Sequence, residues 1–192
     1  MPEICVIVLA AGRGERFKAA RGIQHKLDAL LQGKTVREHV LSAVQASGLS
    51  WHMVTPDHTQ HLPQAGMADS IACGVAAKRH ADGWLILPAD LPLIQADTLR
   101  FMARALQEAQ EPHVACDVVV PFYQQQRGHP VGFSKNCLPD LLQLQGDQGA
   151  SAVVAKHKSW HVVVNDVGCV TDVDTPALLE AAHQWLKART NP

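Results

Sequence analysis

Residues 9–26 read LAAGRGERFKAARGIQHK, and the chemistry of this chain begins there. At Ala10, Ala11 and Gly12 the side chains shrink and lay the backbone bare. Gly12 and Gly14 permit turns that residues with a Cβ resist, and successive N–H groups in such turns converge on anions. Cations follow at Arg13, Arg16, Lys18, Arg21 and Lys26. A small-residue loop backed by fixed positive charge suits a polyphosphate. Two familiar phosphate loops are excluded. The dinucleotide fingerprint G-x-G-x-x-G fails at Phe17, and G-x-x-x-x-G-K-[ST] occurs nowhere in the chain.

Four later strings carry further candidates. LPADLP (87–92) sets the carboxylate of Asp90 between two prolines, suiting either a hard cation or a turn cap. GMADSI (66–71) offers Ser70 as a ligand-facing hydroxyl or as a helix residue bonded to its own backbone. GHPVGF (128–133) fixes the backbone around His129, and DVDTP (172–176) brings Asp172 and Asp174, each a metal contact or a helix cap. His58 and His61 stand three apart in a polar stretch without a third partner and read as part of a solvated loop.

The elements that must position these groups follow from periodicity. Residues 4–9 and 84–87 are near-continuous apolar runs, the pattern of parallel strands buried on both faces. Asp90 then falls at the C-terminal end of a central strand, the edge where open α/β sheets bind ligands. Strands are also expected at 51–55, 117–121 and 160–164, and a bent one at 128–133. Thr35 and Glu38 form a capping box for a helix ended by Gly48. Further helices are expected over 66–78, around 99–106, 138–144 and 152–157, and from Pro176 behind the cap Thr175. Residues 27–33 read as a structured loop. Strands alternating with helices, joined by right-handed crossovers, predict a three-layer α/β/α sandwich with a mostly parallel sheet and an antiparallel strand or two in the second half. No linker or repeat interrupts residues 1–192, which read as one domain.

Composition narrows the classes. The chain is 47% apolar, 18% charged and carries a formal net charge of −1, so bulk charge gives no reason to expect nucleic-acid binding. The five cysteines are scattered and odd in number, against a disulfide framework or zinc knuckle. The first apolar run is too short for a signal or a membrane span, which points to the cytoplasm.

Together the five strings resemble the family of MobA-like nucleotidyltransferases, across nearly the whole chain. GHP and DVDTP resemble the branch that includes molybdenum-cofactor cytidylyltransferase. The resemblance implies a Rossmann-like sheet of the nucleotide-diphospho-sugar transferase type. It implies attack of a phosphorylated acceptor on the α-phosphate of an NTP, with Mg²⁺ as cofactor and release of pyrophosphate. Matched residue by residue, Leu9, Ala10, Ala11, Gly12, Gly14, Arg16, Lys26 and Ser70 hold the nucleotide, while Arg16, Lys26 and Asp90 act in catalysis. Asp90 and Asp174 (or Asp172) hold the metal, and His129 stands on the acceptor side. GTP-using relatives read LAGG where this chain has Ala11, which favours CTP, although a methyl group is worth only about 1–3 kcal/mol. Molybdopterin cofactor is the implied acceptor and a molybdoenzyme the recipient of the product, with neither nucleic acid nor membrane as partner. Alternatives are a nucleotidyltransferase acting on a sugar phosphate or isoprenoid-precursor phosphate, and a non-catalytic nucleotide-binding protein that delivers a cofactor. The chain departs from the family in two places. Only about ten residues separate the second strand from Gly66, where relatives carry another helix and strand, and Asp69 adds a carboxylate beside Ser70.

The string separates the cations functionally. Arg16→Ala and Lys26→Ala are each expected to slow NTP turnover by about 10²–10³, and Lys18→Ala, outside the signature, to do far less. Equal losses in steady-state assays would indicate a diffuse basic patch instead of a cradle.

Overall fold

A computed structural model describes residues 2–12, 25–62 and 65–190. In chain order these form β1 (Ile4–Leu9), β2 (Leu30–Leu31), β3 (Lys34–Thr35), α1 (Val36–Ser47), β4 (Ser50–Val54), α2 (Pro56–Thr59), α3 (Met67–Ala77) and β5 (Gly83–Pro88). There follow α4 (Ala96–Glu108), β6 (Val118–Tyr123), β7 (Gln126–Arg127), β8 (Val131–Ser134), α5 (Leu138–Leu142), α6 (Ser151–Lys156), β9 (Ser159–Val163) and α7 (Pro176–Thr190).

Among the described residues, β4, β1, β5, β8, β6 and β7 lie in that order in one sheet, with β9 beside β6. β1 pairs parallel with both β4 and β5, aligning Ile7 with Ile86 and Val8 with Leu87. β8 runs antiparallel between β5 and β6, as the looser second half of the sequence suggested. Alternation along β1 and β5 divides the core. Val6, Val8, Leu85 and Leu87 face α1 and α4, meeting Val40, Val44, Leu99 and Met102. Ile7, Trp84 and Ile86 face α3, α5 and α6, meeting Ile71, Val75, Leu141 and Val153. Each such fully buried side chain contributes about 1.5–3 kcal/mol. A helical layer on each face makes the three-layer α/β/α sandwich.

The local signals are realised. Thr35 Oγ1 accepts from Glu38 N at 3.2 Å, Glu38 Oε2 accepts from Thr35 N at 2.6 Å, and Gly48 ends α1 in the left-handed region. Two short segments differ from expectation. Residues 27–33 contain a 3₁₀ turn (Lys26–Asp28) and enter the β2–β3 hairpin, which turns through Gln32 and Gly33 at positive φ. The stretch after β4 is not wholly loop. Pro56 begins the one-turn helix α2, and His58 Nδ1 accepts from Thr55 N at 3.1 Å as its cap.

The edge of the sheet at the start of β6 is held by charge. Asp117 accepts from Ser134 Oγ at 2.9 Å and Asn136 Nδ2 at 2.8 Å, while His157 bridges its carboxylate to that of Asp140. Burial alone would raise the Asp117 carboxyl, but hydrogen bonds from Asn136, Ser134 and His157 outweigh it and hold the group below the ordinary value. A depressed folded value stabilises the protein above the unfolded pKa, and that contribution is lost as pH falls through the folded value. Asp117→Asn should therefore lower Tm at pH 7, with the gap to the parent closing below about pH 4. Melting curves across pH check this; a gap independent of pH contradicts it.

Candidate functional site

β1 and β5 end side by side, and the chain leaving each strand turns over the C-terminal edge of the sheet. Ala10 N donates to Val54 O at 2.8 Å and Ala89 N to Leu9 O at 3.0 Å, so the three strand exits are tied together. Over this edge opens a cavity of ≈ 550 Å³. Leu9, Ala11, Gly12 and Pro88 form its floor; Lys26, Leu27 and Asp90 form one wall, and Ala65, Gly66, Met67, Ser70 and Asp147 the other.

Lys26 is the electrostatic centre of the first wall. Its Nζ lies 2.6 Å from Asp90 Oδ2 and 2.6 Å from Asp174 Oδ1. All three side chains are mostly shielded from solvent. Burial alone would pull the ammonium pKa down, but Asp90 and Asp174 outweigh it and hold Lys26 above the ordinary lysine value. Lys26 is therefore charged throughout the neutral range. Val173 N donates to Asp90 O at 2.9 Å, locking the approach to α7 against the exit of β5. Nearby, burial raises the Asp172 carboxyl, and the charges of Asp174 and Asp90 add to the effect.

The second wall is built from the start of α3. Ser70 is buried and its hydroxyl donates to Gly66 O at 3.1 Å, the helix-backbone role. The extra carboxylate, Asp69, serves the backbone. Its Oδ2 accepts from Gly66 N at 2.9 Å and from Gly146 N at 3.0 Å. Ala68 N in turn donates to Gly146 O at 2.9 Å. The loop between α5 and α6 is thereby laced to α3, and it presents Asp147 to the cavity.

The structure thus brings Leu9, Ala11, Gly12, Lys26, Ser70 and Asp90 around one cavity, with Ala10 buried beside it and Asp174 joined through Lys26. Gly14 and Arg16 lie outside the described residues. His129 does not line the cavity. Its backbone N–H donates to Cys169 O at 2.8 Å, and its Nδ1 is buried without a hydrogen-bond partner among the described residues. Burial lowers its pKa, against the opposing charge of Asp90, so the ring is neutral.

A model of the MobA-like NTP transferase domain matches residues 6–162. The chain belongs to the MobA-like NTP transferase family. Nucleotidyl transfer is the activity class of this family, and the match runs from within β1 through most of β9. Purine catabolism protein PucB of Bacillus subtilis (strain 168) is 25% identical over 205 residues, covering 91% of this chain and 93% of PucB. A nucleotidyl transferase from Methanothermobacter thermautotroptrophicus (Mth528) has a TM-score of 0.75 at 21% identity, covering 98% of this chain and 99% of that one. Rv0371c from Mycobacterium tuberculosis H37Rv has a TM-score of 0.74 at 22% identity, covering 95% and 98%. The same protein is known in complex with manganese. At these identities the solved structures establish the MobA-like fold.

Three residues that frame this MobA-like site carry no sequence signature. His25 Nε2 donates to Gly12 O at 2.8 Å while its Nδ1 accepts from Leu27 N at 3.3 Å, bracing the glycine loop. Asp147 stands in a stretch that reads only as a helix interruption. Asp166, buried ahead of the 3₁₀ turn Val167–Cys169, accepts from Gln95 N at 3.0 Å, Thr98 Oγ1 at 2.7 Å and Gly168 N at 2.9 Å, and pairs with Arg189 near the end of α7. It clamps the segment bearing Asp174 to the one bearing Asp90. Gly168 permits the approach, since a Cβ there would meet Leu93 O at 2.2 Å. Asp166→Ala strands several buried donors and should cost about 3 kcal/mol, read by denaturant unfolding; a loss below about 0.5 kcal/mol would show that the clamp is dispensable.

Proposed function

We propose that this chain transfers CMP from CTP to a phosphorylated small-molecule acceptor such as molybdopterin cofactor, releasing pyrophosphate. The observation that carries the reading is the convergence of Lys26, Asp90 and Asp174 beside the Leu9–Gly12 backbone, at one wall of a cavity large enough for a nucleotide. In the reaction a phosphate oxygen of the acceptor bonds to the α-phosphorus. The bond from that phosphorus to the bridging oxygen breaks, and the electron pair leaves on pyrophosphate. No covalent enzyme intermediate is needed, so the protein's work is positioning and charge stabilisation.

The roles follow the chemistry of each group. Arg16 and Lys26 donate charge-assisted hydrogen bonds to phosphate oxygens, with the backbone around Ala11, Gly12 and Gly14. Ala11 is on the cavity floor, where its methyl narrows the space for a base and favours a pyrimidine. Ser70 stands on the nucleoside side. His129, in the field of Asp90 and with an Nδ1 that has no partner among the described residues, is assigned to the acceptor side.

A divalent cation fits this donor set. Two carboxylates already direct oxygens at one positive centre, the Lys26 ammonium, and hard oxygen donors completed by substrate phosphates suit Mg²⁺. Asp90 and Asp174 would hold it. Bound there, it would supply charge compensation for the triphosphate and the departing pyrophosphate. The manganese complex of Rv0371c supports a divalent ion in this fold.

The test is pyrophosphate release across a panel of NTPs with Mg²⁺, offering molybdopterin, a sugar phosphate and an isoprenoid-precursor phosphate as acceptors. CTP with molybdopterin is the expected pair. Asp90→Asn should reduce turnover by about 10²–10³ and weaken Mg²⁺ activation while barely moving Tm, because Asp174 still pairs with Lys26. Parental turnover in Asp90→Asn at ordinary Mg²⁺ would end the assignment, and NTP binding without turnover in the parent would indicate a carrier.

A further inference from the structure

The cavity crosses the C-terminal edge of the sheet, and its two walls are unlike. Lys26 and Asp90 belong to the layer of α1 and α4, where the ammonium is paired with the carboxylates of Asp90 and Asp174. The wall toward α3 carries Ser70 and Asp147 as its polar side chains. Ser70 has committed its proton to Gly66 O, and Asp69 behind it has committed its carboxylate to Gly66 and Gly146. Asp147 makes no hydrogen bond or ion pair with the described residues, and its carboxylate lines the cavity.

The backbone just ahead of that carboxylate is held from both sides. The Asp69 bond to Gly146 N and the Ala68 bond to Gly146 O fix the residue before it. Gly66 allows the approach, since a Cβ there would meet Asp147 Oδ1 at 2.3 Å. An ionised carboxylate only accepts hydrogen bonds. It repels a triphosphate, which orients a nucleotide with its phosphates at Lys26 and its base toward Asp147. The base must then present a donor. Cytosine offers its N4 amino group there, whereas uracil places a carbonyl oxygen at the same position.

We propose that Asp147 is a specificity-determining residue that accepts a hydrogen bond from the exocyclic amino group of the nucleotide's base, selecting CTP over UTP. This rests on the nucleotidyl-transfer reading above and names what sets its choice of base. Asp147 is exposed, so its replacement leaves the core untouched.

The experiment compares kcat/KM and binding for CTP and UTP, with Mg²⁺, in the parent, Asp147→Asn and Asp147→Ala, beside melting curves. The parent should prefer CTP. Asparagine can offer an N–H to the uracil oxygen, so Asp147→Asn should lower the CTP-to-UTP ratio by about tenfold or more, with Asp147→Ala lowering it less. The same contact is tested from the ligand side on the unaltered protein with pyrimidin-2-one riboside triphosphate, which lacks the 4-amino group and should fall between CTP and UTP. A parent without preference, or variants that keep the parental ratio, would overturn the role of Asp147 and leave nucleotidyl transfer standing. A parent that binds neither CTP nor UTP would overturn both.

Discussion

Burial of β1 and β5 on both faces is the constraint from which the rest of this structure follows. Val6, Val8, Leu85 and Leu87 fill one layer and Ile7, Trp84 and Ile86 the other, so neither strand has a face left for polar chemistry. Functional groups can stand only where the strands stop. Parallel pairing sends both strand ends to the same edge, so the loops after Leu9 and Pro88 meet although nearly eighty residues separate them in sequence.

At that edge the dominant energy is electrostatic. Two acids drawn out of water would repel each other. Lys26 between them offsets that repulsion by pairing with both. An anionic nucleotide arriving at this wall competes with the acids for Lys26, and a divalent cation competes with Lys26 for the acids. Among the described residues, the opposite wall has no such partner for Asp147. The cavity is therefore polarised across the sheet: a paired charge cluster on one side and, among the described residues, an unpaired acceptor on the other.

How much of this was legible in the sequence depended on the range of the interaction. Thr35 and Glu38 sit three residues apart and announce their helix locally. The apolar run before Asp90 announces both a buried strand and the edge at which it ends. The β2–β3 hairpin and the single turn of α2 are too short to show a period. The extra carboxylate Asp69 looked like a ligand-side charge because its second partner, Gly146 N, lies 77 positions away. Asp166 was invisible for the same reason, since its partners at Gln95 and Thr98 come from a different strand–helix unit. His129 stood out from its flanking glycine and proline, but only the fold shows its Nδ1 buried and its backbone N–H tied to Cys169.

The Lys26–Asp174 contact has a temporal side as well. It closes 148 positions of chain, and the entropic cost of closing a loop rises with its length. The stretch matched by the family model ends at residue 162, before Asp166, Asp174 and α7. During synthesis, β1, Lys26 and the Asp90 strand emerge and can pack while the second acid is still unmade. The charge cluster is thus closed by a segment made after both of the strands whose ends it joins.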